Sequence, residues 1–281
     1  MPIKDYTIKD CSNKVRSLAL SMIYEAQSGH PGGALSCADL ITYLYKKELN
    51  LDGENVDKFV LSKGHSCPTL YAIAAEIGLI PYIELISFRA INSNLQGHPS
   101  VISLPWVNAS TGSLGQGISA AVGIALSNKH HKLNSRTYCM IGDGEIQEGQ
   151  VWEALMFSSH HKLDNLCIIV DYNKMQSDAL NSEIINIEPL SNKFESFGIH
   201  TKSINGHSFE EIKDAFDIAK EKKGKPTVII ANTIKGKGVS YMENIPTWHG
   251  SVAMSKEQLF AAYEDLEISP EYIKSLAPFN F

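Results

Sequence analysis

The sequence predicts an α/β domain: an open, mostly parallel β-sheet with helices on both faces. Three observations predict it. Apolar runs of strand length alternate with segments of helical period along the whole chain. The clearest run, Leu166 to Val170, is continuously apolar and rich in β-branched residues, the pattern of a strand buried on both faces. Glycine-rich turns carrying Asp, Asn or His follow several of the runs, and ligands of such sheets sit at the carboxyl ends of the strands. No internal repeat, low-complexity tract or linker interrupts residues 1–281, so the chain reads as one domain.

In chain order, Ser12 to Gln27 predicts a helix with Val15, Leu18, Leu20, Met22 and Ile23 as its apolar face, broken by Ser28-Gly-His-Pro-Gly-Gly33. A second helix is expected from Ser36 to Lys46. Asp57 to Ser62 reads as the first strand and ends in Lys63-Gly64-His65-Ser66. Pro68, well placed in a first turn, opens a helix to Ile77. A loop with Gln96-Gly97-His98-Pro99 follows, and Ser110-Thr-Gly-Ser-Leu-Gly-Gln-Gly117 leads into a small-residue helix from Ile118 to Lys129. Tyr138 to Ile141 is a strand, Ile146 to His161 a helix, and Leu166 to Val170 the buried strand. Pro189 opens a short helix within a less regular stretch. Ile199 to Ile204 is a strand, and Ser208 to Lys222 a helix with Ser208 and Glu211 as a capping box. Gly224 and Pro226 end it. Thr227 to Asn232 is the last strand, Lys235-Gly-Lys-Gly238 a mobile loop, Trp248-His249-Gly250 a turn, and Ser255 to Leu266 a terminal amphipathic helix.

Bulk properties narrow the function. A chain of 281 residues with 43% apolar and 20% charged residues is long enough for a sizeable core. A net charge of −6 with no basic run argues against a nucleic-acid surface. No stretch has the length of a membrane span, and the polar start MPIKDYTIKD lacks a signal-peptide core. Five scattered cysteines, Cys11, Cys37, Cys67, Cys139 and Cys167, read as small buried hydrophobes in a reducing, cytoplasmic compartment.

The chemistry concentrates between Tyr138 and Asp178. Gly142 and Gly144 permit close backbone approach, and Asp143 offers a hard oxygen. A helix starting near Ile146 would aim its N-terminal N–H groups at the same place. Asn173 stands at the end of the next strand with a second oxygen. A carboxylate, an amide oxygen and a diphosphate are a suitable set for Mg²⁺. Gly-Asp-Gly alone is no more than a tight turn; with a helix, a buried strand and Asn at this spacing it is the thiamine diphosphate motif.

The words around that motif, Glu145-Ile-Gln-Glu-Gly-Gln-Val-Trp-Glu-Ala154 and Asp171-Tyr-Asn-Lys-Met-Gln-Ser-Asp178, resemble those of transketolases. The resemblance runs from Ser12 to about His249 and implies a thiamine diphosphate-binding fold of the kind that holds the diphosphate end. Residue by residue, it implies that Asp143, Asn173 and the carbonyl of Met175 hold Mg²⁺, with Ca²⁺ as a substitute. Gly142, Gly144, Gly112 and Leu114 match residues against the cofactor. His65 and His249 match contacts to the diphosphate, and His30 and His98 match residues facing the sugar. Glu148 and Glu153 match acidic residues linking paired active sites, although their i, i+5 spacing also fits a solvated helix face. Ser113 stands where proline is frequent.

The resemblance also implies what lies elsewhere. In a full transketolase a further domain binds the aminopyrimidine and supplies the Glu that activates it. The expectation is therefore the amino-terminal subunit of a split transketolase, which moves a glycolaldehyde unit from a ketose phosphate to an aldose phosphate. It would be active only with a carboxyl-terminal subunit, as two copies of each chain. The alternatives are the α subunit of a 2-oxo acid dehydrogenase and a non-catalytic cofactor-binding assembly subunit. Ser28–Gly33 and Trp248-His249-Gly250 favour the ketolase.

Overall fold

A computed structural model of the chain describes residues 7–177, 179–250 and 253–281. Asp178, the end of the motif that begins at Asp171, lies outside the described residues, as do residues 1–6 of the polar start. In chain order the elements are α1 (Ile8–Ala26), α2 (Pro31–Ser36), α3 (Ala38–Tyr43), β1 (Lys58–Leu61), α4 (Cys67–Glu76), α5 (Gln116–His130), β2 (Thr137–Gly142), α6 (Gly149–His160) and β3 (Leu166–Tyr172). They continue with β4 (Met175–Gln176), β5 (Ala179–Leu180), α7 (Asn181–Ile184), α8 (Leu190–Ser196), β6 (His200–Asn205), α9 (Phe209–Glu221), β7 (Thr227–Asn232), α10 (Lys256–Asp265) and α11 (Pro270–Leu276). Residue contacts divide the chain into two compact units. One takes the described residues of Met1–Lys47, His65–His98 and Ile234–Phe281; the other takes Glu48–Gly64 and Pro99–Thr233.

The second unit holds the sheet, five parallel strands in the order β1-β2-β3-β7-β6. The alternation of side chains along each strand sends Val60, Cys139, Ile141, Ile168, Val170, Val228 and Ile230 to one face. There they pack with Ile118 and Ala121 of α5, Val151 and Leu155 of α6, and Phe194 of α8. On the opposite face Tyr138 meets Phe216 of α9 edge to face at 5.8 Å. Helices thus cover both faces, and all seven residues of β3 are buried, as its continuous apolar run predicts. Each of its large aliphatic side chains contributes roughly 1.5–3 kcal/mol by leaving water. The outer edge of β1 is occupied by side chains: Phe59 N–H donates to Asn108 Oδ1 at 2.8 Å, and Leu61 C=O accepts from Thr111 Oγ1 at 2.7 Å. At the other edge β6 shows a polar, half-exposed strand, with Lys202 and Ser203 exposed.

Two local expectations change in this unit. The helix expected from Ile146 is a 3₁₀ turn, Gly144–Gln147, followed by extended backbone at Glu148 (φ −70°, ψ 126°) and only then α6. The capping box of α9 is half formed. Ser208 Oγ accepts from Glu211 N–H, but the Glu211 carboxylate turns to Asn205 N–H at 2.8 Å.

In the first unit, α1 starts at Ile8 rather than Ser12, because Thr7 and Asp10 form a reciprocal capping box ahead of the apolar stripe. It is buried nearly all round. Its polar residues are paired: Arg16 makes a two-pronged pair with Asp39 at 2.7 and 2.9 Å, and Lys14 reaches Glu76 at 2.7 Å. The helix expected from Ser36 to Lys46 is α3 continued by a π-helical segment, Leu44–Glu48, and a separate short helix, α2, precedes it from Pro31. The loop Lys235–Gly238, expected to be mobile, is anchored. Lys235 is 1% exposed, Gly236 N–H donates to Gly32 C=O at 3.0 Å, and Asn244 N–H donates to Lys235 C=O at 2.9 Å.

Candidate functional site

In the sheet unit, parallel strands bring their carboxyl ends to one edge, where β2 and β3 are in register with Gly142 opposite Asp171. Asp143 follows β2 and is 2% exposed. Its Oδ1 accepts from Gly144 N–H at 2.8 Å and its Oδ2 from Lys174 N–H. The carboxylate therefore grips the turn that carries Asn173 and Met175. Asn173 is buried, and its Oδ1 accepts from Met175 N–H at 3.1 Å. Lys174 takes the left-handed conformation (φ 66°) that lets the chain reverse there. The structure thus brings the three expected metal donors onto two joined turns.

The electrostatics fit a cation. Burial, then the neighbouring Asp171 charge, raise the Asp143 carboxyl to about 7, against the pull of the Gly144 and Lys174 amides and of Lys63. A buried carboxylate joined by a hydrogen bond to the turn that carries the Asn173 amide and the Met175 carbonyl is the donor chemistry of a hard divalent ion. Among the described residues no group of three His, Cys, Asp or Glu side chains is arranged for a metal. The expected set has a single carboxylate, the kind of donor set that a divalent ion completes with phosphate oxygens.

Around this centre are residues that the sequence reading gave no role. Glu145, 2% exposed, accepts from Ser62 Oγ, from Gly115 N–H at 2.8 Å and from Gly142 N–H at 3.0 Å. It ties the ends of β1 and β2 to the loop that carries Gly112 and Leu114. Lys63 and Thr233 both donate to Asp171, in a buried group. The signal for these residues was weak: each is a polar side chain next to a strand end, a place already assigned to the glycines.

The glycines have distinct duties. A Cβ on Gly144 would stand 2.8 Å from both Cβ and Oε1 of Gln176, so only glycine admits that side chain. Gly142 N–H is held by Glu145 and Gly144 N–H by Asp143. Gly115 (φ 81°) lies against Glu148, where a Cβ would meet the Glu148 Cβ at 2.8 Å. Gly112 is half-buried, its amide backing onto Gly64, and Leu114 is exposed. Glu148 and Glu153 are both exposed, one before and one within α6.

In the other unit, three of the four singled-out histidines form a cluster. The ring centroids of His30 and His65 lie 5.2 Å apart, and His249 lies 5.7 Å from each. His98 is the fourth. Burial, then the charges of Arg89, His98 and Lys235, lower the His30 imidazole to about 4. Burial and Arg89 lower His98. Arg89 and Lys235 are the cations of this cluster, and neither was singled out from sequence. A basic residue within a loop carries no periodic signal.

The chain is similar to known proteins over most of its length. The model of the family described as "Transketolase, thiamine diphosphate binding domain" matches residues 7–273. A relative from Clostridium sp. (strain MSTE9), named 6-deoxy-6-sulfo-D-fructose transketolase subunit SqwG, is 41% identical over 261 residues, covering 91% of this chain and 94% of that protein. The transketolase of Mus musculus is 42% identical over 250 residues, 86% of this chain but 39% of its own length. Among solved structures, the transketolase of Leishmania mexicana superposes with a TM-score of 0.89 at 30% identity, over 94% of this chain and 42% of that one. That of Campylobacter jejuni gives 0.88 at 32% identity, over 97% and 46%.

Proposed function

Because the chain belongs to the family of transketolase thiamine diphosphate-binding domains, we propose that it acts as the amino-terminal subunit of a two-chain transketolase. The observation that carries this reading is the family match over 7–273, joined to a relative that is itself named a subunit and is covered over 94% of its length. Residues 1–281 would work as one cofactor-binding domain. Asp143, Asn173 and the Met175 carbonyl would hold Mg²⁺, with His65 and His249 on the diphosphate and His30 and His98 on the sugar. When bound, thiamine diphosphate supplies the carbon nucleophile that carries the two-carbon unit. This chain's residues anchor the anionic end of the cofactor and orient the sugar.

The partner would be a carboxyl-terminal subunit that binds the aminopyrimidine, in a heterotetramer with two copies of each chain. Five buried cysteines, all free thiols, support a cytoplasmic setting. The name of the Clostridium relative makes a 6-sulfo ketose a donor to test beside ketose 6-phosphates. The experiment is ketol transfer with thiamine diphosphate and Mg²⁺, assayed on the purified chain alone and with a co-purified partner. Turnover only in the presence of the partner is expected. Robust turnover by the isolated chain would overturn the two-chain reading, and no transfer from any ketose by the complex would overturn the transketolase reading.

A further inference from the structure

Each of two histidines in the cluster has a cation hydrogen-bonded to the same ring nitrogen. Arg89 Nη2 lies 3.5 Å from His30 Nδ1, and Lys235 Nζ lies 2.9 Å from His249 Nδ1. A guanidinium carries five N–H donors and an ammonium three, and neither has an acceptor. The ring nitrogen facing each cation must therefore accept. A neutral imidazole has one N–H, so the proton of each ring is left on Nε2. We infer that Arg89 and Lys235 are positioning residues that lock His30 and His249 as neutral Nε2–H tautomers. They become two fixed hydrogen-bond donors for the oxygens of a phosphorylated or polyhydroxylated ligand. The ligand class rests on the transketolase reading; the tautomer lock does not.

The surroundings are built for these two cations. Arg89 sits in the left-handed region at φ 60°, an uncommon conformation for a non-glycine residue. Its guanidinium lies on Gly97, where a Cβ would stand 2.8 Å from Cζ and Nη2, so the seat exists only over glycine. Its Nη1 donates to Ser28 Oγ at 2.9 Å, while its buried Nε–H has no partner among the described residues. An arginine held in this way, with one donor left over, is placed for what its charge does to His30. Lys235 is buried, its stem passing over Gly32, where a Cβ would meet the lysine Cγ at 3.0 Å. The Nε2 edge of His30 faces Gly250, where a Cβ would lie 2.5 Å from Nε2. The charged and titratable groups facing His30 are Arg89, His98, Lys235 and the rings of His65 and His249. Every permanent charge among them is positive. Burial first, and then the charges of Arg89, His98 and Lys235, oppose protonation of His30, and its imidazole falls to about 4. Near neutrality such a ring donates from Nε2 without becoming an imidazolium.

The test is long-range ¹H–¹⁵N correlation spectroscopy of the full chain labelled at histidine nitrogens, with His30→Gln and His249→Gln spectra for assignment. Wild-type His30 is expected to show a protonated Nε2 and a bare Nδ1 throughout pH 6 to 8, and neutral His249 the same tautomer. Arg89→Met should release His30, raising its pKa by about one unit or more toward the ordinary value and mixing its tautomers. Lys235→Met should do the same to the His249 tautomer. Arg89→Lys and Lys235→Arg, which keep a cationic donor, should restore the Nε2–H form. A wild-type spectrum with either ring protonated at Nδ1 would overturn the inference, and needs no variant to fold. Unchanged tautomers and titration in folded Arg89→Met and Lys235→Met would also overturn it. Locked tautomers without ketol transfer by the complex would count against the functional reading and leave this inference standing. Transfer with unlocked tautomers would do the reverse.

Discussion

Replacing Glu145 should cost more than replacing any exposed acidic residue of the chain, and the amount follows from its three donors. Its carboxylate accepts from Ser62 Oγ, Gly115 N–H and Gly142 N–H, all buried or half-buried. Glu145→Ala leaves three donors without an acceptor, each worth about 1–3 kcal/mol when buried. Two effects reduce the sum. Water entering the vacated space recovers part of it. Removing the carboxylate also relieves its own desolvation, which pushes its pKa up. The net expectation is a loss of about 3–5 kcal/mol, a large part of a typical domain stability. Glu145→Gln keeps the volume but turns an N–H₂ toward one of the donors, for about 2–3 kcal/mol. Urea denaturation measures both as a lower midpoint at constant slope. The same variants should weaken thiamine diphosphate binding, because the Gly112–Gly115 loop loses its tie to the Gly142–Gly144 turn. A midpoint shift below about 1 kcal/mol in Glu145→Ala would refute the reasoning, for the carboxylate would then be dispensable to the loops it joins.

Other outcomes follow from the same structure. Asp143→Ala should abolish Mg²⁺-dependent cofactor binding by the complex in calorimetry, since it removes the single charged donor of the expected set; unchanged affinity would reject the metal assignment. His30 has a depressed folded pKa, about 4 against 6.5, so its stabilising contribution is present above 6.5 and lost as pH falls toward 4. With partial exposure discounted, about 2 kcal/mol should disappear between pH 7 and pH 4, and His30→Asn should show a correspondingly flatter profile in denaturant titrations. Gly117→Ala would bring a Cβ to 2.7 Å from the Ser62 Cα, a backbone atom that cannot step aside, and should lower stability by about 1–3 kcal/mol in thermal unfolding despite alanine's better helix propensity.

Much of the architecture was legible because burial writes itself as periodicity. The strand expected at Thr227 to Asn232 is β7 to the residue, and the apolar run from Leu166 continues through Tyr172 as the fully buried β3. What escaped is decided by side chains that reach across the fold. Ile146 belongs to the apolar period and to the core, yet its backbone is 3₁₀, because the Glu145 carboxylate reaches back to Gly142 and holds the turn tight. The start of α1 hides in Thr7 and Asp10, which carry no apolar signal. The loop at Lys235 looked mobile from two glycines and two lysines. Gly236 instead takes φ 76° within 2.4 Å (at a would-be Cβ) of the Met242 carbonyl, a conformation that fastens the loop. The points where the chain passes from one unit to the other, after Lys47, Gly64, His98 and Thr233, have no shift in composition to mark them. At the candidate site, Asp143 and Asn173 were legible through a motif, whereas Arg89, Lys235, Lys63 and Glu145 act through partners distant in sequence.

The treatment of the sheet's two borders limits how this chain can associate. An open border strand is a template on which another extended segment can polymerise. At β1 that template is already used up, since Asn108 and Thr111 imitate a neighbouring strand's acceptor and donor at alternate positions. At β6 the border is short and carries Lys202, whose charge would have to be desolvated by an incoming strand. Continuation of the sheet from one chain into another is therefore disfavoured at both ends. What the two borders leave for a second polypeptide is helix faces and loops, and the unlimited growth open to an unguarded sheet is blocked at both.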